Sequence, residues 1–163
     1  MHESETFLNA NEGIVYYEDF PFTGRVITEY ANATTASSID YVAGKRHGLY
    51  KKWFSDGTLS FQSEYVHGKL HGETRTWWLN GNLRSTSNFD NGIAHGTQEQ
   101  WYENGAKFKR IQLNFGVEEG IQQTWRENGK LYNNYEAKAG RIFGLKRAQL
   151  CYELEEEVIK TIR

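Results

Sequence analysis

The chain has 163 residues, which is enough for one domain of ordinary size. Its formal net charge is −2 and it has no run of lysine or arginine, so it offers no broad electrostatic attraction to nucleic acid or to an anionic membrane. Aromatic residues make up 15% of the chain, and it contains 16 glycines and one proline, a composition typical of short β-strands joined by tight turns.

The chain is built from an internal repeat of 24 residues, marked by a tryptophan that recurs at Trp53, Trp77, Trp101 and Trp125. Residues 1–16 are an N-terminal extension, and an array of units spans residues 17–147. The units begin at Tyr17, Tyr41, Tyr65, Phe89, Leu113 and Ala137. The first unit lacks most of the repeat glycines, as expected of a repeat that caps one end of a stack. Residues 148–163 form a C-terminal cap, either a short amphipathic helix or a further strand.

Two sets of turns alternate along the array. The first set contains one Asp-Gly and three Asn-Gly pairs, which end at Gly57, Gly81, Gly105 and Gly129. Such pairs are a strong hairpin signal because both residues tolerate positive φ. The second set lies at Gly44, Gly68, Gly92, Gly116 and Gly140. Consecutive strands therefore run antiparallel, and we predict an all-β fold: an elongated, single-layer antiparallel meander of β-hairpin repeats, capped at both ends.

The hairpin geometry predicts a tryptophan–leucine pair across each first turn. A turn centred on Asp56 places Trp53 opposite Leu59, and the later units repeat the pair with Trp77 and Leu83 and with Trp125 and Leu131. In the fourth unit Lys107 takes the place of the leucine, which suggests a local change of register.

A further glycine column, eight residues into each unit, lies inside the predicted strands. It consists of Gly48, Gly72, Gly96, Gly120 and Gly144. Glycine weakens a strand interior, so we expect either an aromatic ring lying across the bare backbone or a β-bulge at these positions.

The run from Tyr65 to Gly72, YVHGKLHG, followed by WWLNGNL from Trp77 to Leu83, resembles the MORN-repeat variant of the YwqK-type antitoxin family. The resemblance covers residues 17–147, and it ends in departures, with Glu119 and Phe143 in place of histidine, Gln149 in place of tryptophan and Glu153 in place of the turn glycine. It implies an elongated β-repeat protein that serves as an attachment or interaction module without catalysis of its own. It also implies frequent occurrence in secreted or lipid-anchored bacterial proteins as well as cytoplasmic ones.

Strand alternation predicts a polar face with an aromatic row, opposite to the tryptophan spine. The candidate binding residues on this face are Tyr30, Tyr50, Lys52, Phe54, Trp78, Gln100, Tyr102 and Arg126. Aromatic rings beside polar side chains are common in protein-binding patches, although the same rings can instead pack on their own sheet. Binding of carbohydrate or of a lipid headgroup on this face remains an alternative.

Histidine suggests a metal or ligand site, because His67 and His71 flank one turn. Two ligands from one loop make a weak site, and the regular column of His47, His71 and His95 is better explained by repeat packing. Cys151 is either a small apolar residue of the cap or a lone reactive thiol. The acidic residues Glu155, Glu156 and Glu157 are interpreted as a solvated segment.

We therefore expect a non-enzymatic interaction module or scaffold that binds a protein partner and that has no cofactor, no catalytic residue and no affinity for nucleic acid. The chain contains no apolar run of 18 residues and no signal-peptide pattern, so the sequence predicts neither a transmembrane segment nor a leader. The protein is expected to be a monomer or to associate weakly end to end. The resemblance favours an extracytoplasmic bacterial location, with a cytoplasmic one as the alternative.

Overall fold

A computed structural model describes residues 6–145, and within this range the chain forms sixteen β-strands and no helix. The strands are β1 (Thr6–Asn9), β2 (Ile14–Tyr17), β3 (Phe20–Pro21), β4 (Gly24–Glu29), β5 (Thr35–Val42), β6 (Lys45–Trp53), β7 (Leu59–Val66), β8 (Lys69–Trp77), β9 (Leu83–Asp90), β10 (Ile93–Ala94), β11 (Gly96–Trp101), β12 (Lys107–Asn114), β13 (Val117–Glu118), β14 (Gly120–Trp125), β15 (Leu131–Lys138) and β16 (Arg141–Leu145). The predicted C-terminal cap, with Cys151 and the three glutamates, lies outside the described residues. No segment of residues 6–145 forms a helix that could cross a membrane.

The strands form two sheets. Strands β4 to β16 make one antiparallel sheet of 13 strands in meander order, which is open rather than closed into a barrel. This confirms the predicted all-β hairpin-repeat fold. Strands β1 to β3 make a separate sheet, so the chain from residue 17 to residue 21, assigned from the repeat period to the first unit, belongs to the small N-terminal sheet.

The hairpin turns follow the sequence signals. Gly57, for example, has a φ of +88° and donates its N–H to the carbonyl of Phe54 at 2.9 Å. The predicted tryptophan–leucine pairs are present at Trp53 with Leu59, Trp77 with Leu83 and Trp125 with Leu131. Trp101 pairs with Lys107 in the same register, so the shift expected in the fourth unit was wrong. The register is independent of the leucine because the Asn-Gly turn alone sets it.

The glycines inside the strands sit at irregularities of the sheet. Gly48, Gly72, Gly96 and Gly120 have φ angles between +70° and +91°, a conformation that strands do not use. The atoms nearest to a Cβ added at these four positions belong to no aromatic ring. Of the two alternatives, these four positions therefore follow the irregularity of the strand and not the ring contact. Among the described glycines, a ring contact of the expected kind is present in the first unit, where the ring of Phe22 lies over Gly24.

The two faces of the large sheet differ in burial. Alternation and register place Val26, Ile39, Ser63, Thr74, Gln98, Gln122, Tyr135 and Ala137 on one face, and these residues are at most 9% exposed. We call this the inner face and the opposite one the outer face. The apolar core is small and lies at the N-terminal end, where Phe22, Val26 and Ile39 pack together with Val15, Tyr41 and Tyr50.

Candidate functional site

The residues predicted to form one aromatic binding row lie in two different places. Tyr50, Lys52 and Gln100 are strand residues on the inner face. The other five each begin a hairpin turn, immediately after the strand has ended, and they are Tyr30, Phe54, Trp78, Tyr102 and Arg126. Strand alternation does not extend into the turn, so the structure does not bring the eight residues together as one face.

The turn residues connect each hairpin to the next one. Tyr30 donates its hydroxyl proton to the carbonyl of Trp53 at 2.8 Å. Trp78 Nε1 and the Tyr102 hydroxyl donate in the same way to the carbonyls of Trp101 and Trp125, at 3.2 and 3.0 Å. Each bond spans 23 residues, so it links neighbouring repeats. Tyr30, Trp78 and Tyr102 therefore contribute to the cohesion of the array.

Asparagine side chains add a second set of links along the same edge. Asn80 Nδ2 donates to the Glu103 carbonyl at 2.9 Å, and Asn104 Nδ2 donates to Glu127 Oε1 at 3.0 Å. In the same turns, the Asn80 and Asn104 Oδ1 atoms accept backbone N–H groups two residues later. The Asn-Gly pairs thus shape the turn and join it to the next repeat.

Tyr102→Phe is expected to lower the free energy of unfolding by about 1 kcal/mol, because it removes one hydrogen bond to the Trp125 carbonyl and keeps the ring. For a chain of this size that corresponds to a melting temperature lower by roughly 2–4 °C. Thermal denaturation followed by circular dichroism measures the change. Tyr132→Phe is the control, since Tyr132 is 37% exposed and contacts Arg126 through its ring. Equal melting temperatures for the two variants would contradict the inter-repeat link.

The inner face carries a cluster of rings and cations on strands β6 and β7. The Tyr50 ring lies 5.3 Å from that of Phe61 and 6.3 Å from that of Tyr65, measured between centroids. Lys52 Nζ is 5.3 Å from the Tyr50 centroid, and Arg46 Cζ is 5.4 Å from the Tyr65 centroid. Contacts of this kind hold a cation in place while leaving its charge available.

Arg46 keeps its charge in this setting. Burial alone lowers the pKa of Arg46, but hydrogen bonding and electrostatic interaction with Tyr41 and Tyr65 outweigh burial and raise it. The guanidinium is therefore a permanent cation beside the inner face.

A cleft of about 580 Å³ lies between the N-terminal sheet and the inner face. Thr6, Leu8 and Val15 of the small sheet form one wall, and Val26, Ile39 and Tyr50 lie on the other. The volume is within the usual range for sites that bind small molecules. Sequence reasoning missed this cleft because the small sheet was interpreted as an extension.

Two backbone hydrogen bonds at Gly44 hold the small sheet in place, and a third continues the pairing within the small sheet. Val15 donates to the Gly44 carbonyl at 2.9 Å, Gly44 donates to the Phe22 carbonyl at 2.7 Å, and Phe22 donates to the Val15 carbonyl at 2.9 Å. The contact is close because Gly44 has no side chain: a Cβ there would lie 2.7 Å from the Val15 carbonyl oxygen. Gly44, which belongs to the second set of turns, is thus also the point at which the small sheet contacts the large one.

The histidines form contacts other than the predicted His67–His71 pair. The ring of His67 lies 5.3 Å from that of His47, whose Nδ1 accepts the His67 backbone N–H at 3.4 Å. His95 Nδ1 accepts the Phe115 N–H at 3.3 Å, and His71 Nδ1 lies 3.9 Å from Asp90 Oδ1. Within residues 6–145, no three His, Cys, Asp or Glu side chains are grouped as a metal site would require. His47 and His95 thus each accept a hydrogen bond from a backbone N–H in the next turn of the second set.

Two buried glutamines were missed by the sequence analysis. The Gln122 side chain is 1% exposed; its Nε2 donates to the Gln112 carbonyl at 2.8 Å, and its Oε1 accepts the Gln112 N–H at 3.1 Å. Gln98 makes the corresponding pair of bonds with Asn88. Both side chains fill the gap where the strands separate beside Gly96 and Gly120. Their recurrence 24 residues apart was the available signal, but alternation had placed them with the exposed polar residues.

One repeat earlier the same position is Thr74, which is too short to make these bonds. Its Oγ1 is buried without a hydrogen-bond partner, as is Oγ of Ser63 on the neighbouring strand. Thr124 Oγ1, in a later unit, is also buried without a partner. The units of the array are therefore unequal in hydrogen bonding at the glutamine position.

The chain was compared with curated proteins, with solved structures and with protein-family models. No curated protein matches the chain. A crystal structure of a mutant S. aureus TarM in complex with fondaparinux, alpha-GlcNAc-glycerol and UDP is 16% identical to it, with a TM-score of 0.35. That match covers 80% of this chain and 21% of the TarM chain, so the present chain spans about a fifth of its length. Three consecutive stretches, residues 46–67, 70–91 and 94–111, match the family model described as MORN repeat variant.

Proposed function

We propose that the chain is a non-enzymatic interaction module that binds a protein partner through the inner face of its large sheet. MORN repeats are generally associated with binding and interaction. A toxin protein is the partner that the resemblance to the YwqK-type antitoxins implies.

The observation that carries the proposal is the cluster of rings and cations on the inner face, where Tyr50, Phe61 and Lys52 contact one another. Exposed apolar surface elsewhere on the molecule supports association with a partner in general. Among the described residues, 18 large hydrophobic side chains are exposed, whereas five hydrophobic residues are buried. An open sheet that leaves this much apolar surface in water is typical of a protein that associates with another one.

The inner face is the better candidate for the contact because its rings and cations are held by one another. Tyr50 and Phe61 supply large rigid surfaces, and Lys52 extends over both of them. Aromatic residues contribute much of the binding energy in protein interfaces, since they bury a large area for little loss of conformational entropy. The non-enzymatic part of the proposal is supported by the polar groups of the turn edge, which are used in bonds between repeats.

Lys52→Glu is expected to reduce capture of the partner from a native lysate by about tenfold or more, because it reverses a charge in the centre of the proposed contact. Capture by the immobilised protein, quantified for the same band or mass-spectrometric species, is the measurement.

The matched control is Lys51→Glu, which makes the same charge change one residue away on the outer face, where Lys51 pairs with Gln62. It should leave capture within about twofold. Both variants should melt close to the parent protein, since a cation–π contact at an exposed site stabilises by only about 0.5–1 kcal/mol. Equal loss in both variants, or none in either, would overturn the assignment of the inner face.

A further inference from the structure

The charged residues that line the cleft between the N-terminal sheet and the inner face are all cations. They are Lys45 and Arg46, and none of the described lining residues is Asp or Glu. Neither Lys45 nor Arg46 forms an ion pair within residues 6–145. The chain as a whole has a formal net charge of −2, so the cleft is basic in a slightly acidic protein. Such a concentration of like charge favours an anionic ligand.

Part of the cleft wall is apolar. Val26 is 4% exposed and Ile39 is 7% exposed, and both belong to the core cluster that Val15 and Tyr50 complete. Thr28 and Ser37 also line the cleft, and their hydroxyls are hydrogen-bonded to each other at 2.7 Å. Their hydroxyls are thus partly satisfied, and the wall is suited to a hydrocarbon or aromatic group rather than to a second charge.

The cationic end is preorganised. Arg46 lies 5.8 Å from the Tyr50 centroid and 5.4 Å from the Tyr65 centroid, which restricts its side chain before any ligand arrives. A planar guanidinium held in this way can bind a carboxylate or sulfonate through two parallel hydrogen bonds. Less conformational entropy is lost on binding because the donor is already positioned.

We propose that this cleft binds a small organic anion whose carboxylate or sulfonate is held by Arg46 and Lys45 and whose apolar body packs on Val26, Ile39 and Tyr50. The cleft shares Tyr50 with the proposed protein contact, but Lys52, at the centre of that contact, does not line the cleft. Binding of the anion therefore does not depend on the presence of a protein partner.

The experiment compares two fluorescent probes of similar shape, titrated into the full chain. 8-Anilinonaphthalene-1-sulfonate is an aromatic anion, and N-phenyl-1-naphthylamine is the same ring system without the sulfonate. Arg46→Gln and Lys45→Gln are each expected to weaken binding of the anionic probe by about tenfold, the effect of losing roughly 1.4 kcal/mol. Binding of the neutral probe should change by less than about twofold. The Lys45 variant leaves the Tyr50–Arg46–Tyr65 contacts intact, so it tests the charge even where the Arg46 variant is destabilised.

Lys51→Gln on the outer face is the matched control, and both probes should bind to it as to the parent chain. The proposal is overturned when the parent does not bind the anionic probe, when Lys45→Gln binds it with unchanged affinity, or when both probes weaken equally, which would show a purely apolar site. It is also overturned when Lys51→Gln weakens the anionic probe as much as Lys45→Gln does, because the effect would then come from overall charge.

Discussion

Gly44→Ala is expected to release the N-terminal sheet from the large sheet while leaving the rest of the array folded. An alanine at this position would bring its Cβ to 2.7 Å from the Val15 carbonyl oxygen and to 3.1 Å from the Val15 nitrogen. Both atoms are backbone, so they cannot rotate away as a side chain could. The two hydrogen bonds that Gly44 forms, with Val15 and with Phe22, would be lost with the contact.

Hydrogen–deuterium exchange resolves this effect by region. The amides of residues 14–22 should exchange faster by at least about tenfold, corresponding to roughly 1.4 kcal/mol or more of lost protection. The amides of β8 and β9 should exchange at the parent rate, because contacts in a repeat array are made mainly between neighbouring units.

Gly140→Ala is the control that separates the contact from backbone strain. Gly140 occupies the same turn position after an alanine, and its φ of +72° equals that of Gly44, +73°, within one degree. Among residues 6–145, no atom outside the neighbouring residues lies within 4 Å of a Cβ added to Gly140. Both variants pay the cost of a left-handed alanine, about 1–2 kcal/mol, but only Gly44→Ala meets a neighbouring chain. Parent-like exchange of residues 14–22 in Gly44→Ala would show that the small sheet is held by other contacts.

Gln122→Leu is expected to destabilise the C-terminal half of the array by about 2–3 kcal/mol. Leucine is similar in size but cannot bond to the Gln112 N–H and C=O groups, which would remain unpaired beside a buried side chain. For a chain of this length the melting temperature should fall by roughly 4–12 °C. Thermal denaturation measures the total loss, and exchange at the amides of β12 and β14 locates it.

Gln123→Leu provides the comparison, since Gln123 is the next residue and faces the outer side. Its Nε2 donates to Asn134 Oδ1 at 3.2 Å in an exposed bond. Changes at such surface sites usually alter stability by no more than about 0.5 kcal/mol. Similar losses for the two variants would mean that hydrogen bonding by Gln122 contributes little and that its burial has another cause.

Strand pairing was predictable because it follows from local signals. The Asp-Gly and Asn-Gly pairs set each hairpin, and the pairs of Trp53 with Leu59 and of Trp77 with Leu83 follow from counting outward from the turn. Lys107 shows how local the signal is: the chain keeps its register opposite Trp101 although the leucine is missing.

The candidate binding row was less predictable because alternation fails at bulges and turns. The pairing shifts between Lys52 and Trp53, and the next residue, Phe54, already belongs to the turn. A count in steps of two through this shift placed Tyr50, Lys52 and Phe54 on one face, which only an uninterrupted strand would do. Gln98 and Gln122 lie on the face that alternation predicts, together with Gln100, but they are buried there because their side chains bond to the backbone of the neighbouring strand, which a count along the chain does not show.

The sequence by itself determined the repeat, the antiparallel order and the places of the turns, because these depend on residues a few positions apart and recur every 24 residues. Only the tertiary structure decided that Tyr30, Trp78 and Tyr102 bond to the following repeat and that Arg46 and Lys45 meet an apolar wall in one cleft. Those contacts join segments from different repeats, or from two sheets. Their geometry depends on how bulges bend the strands and on how the small sheet docks at Gly44, which no count along the chain specifies.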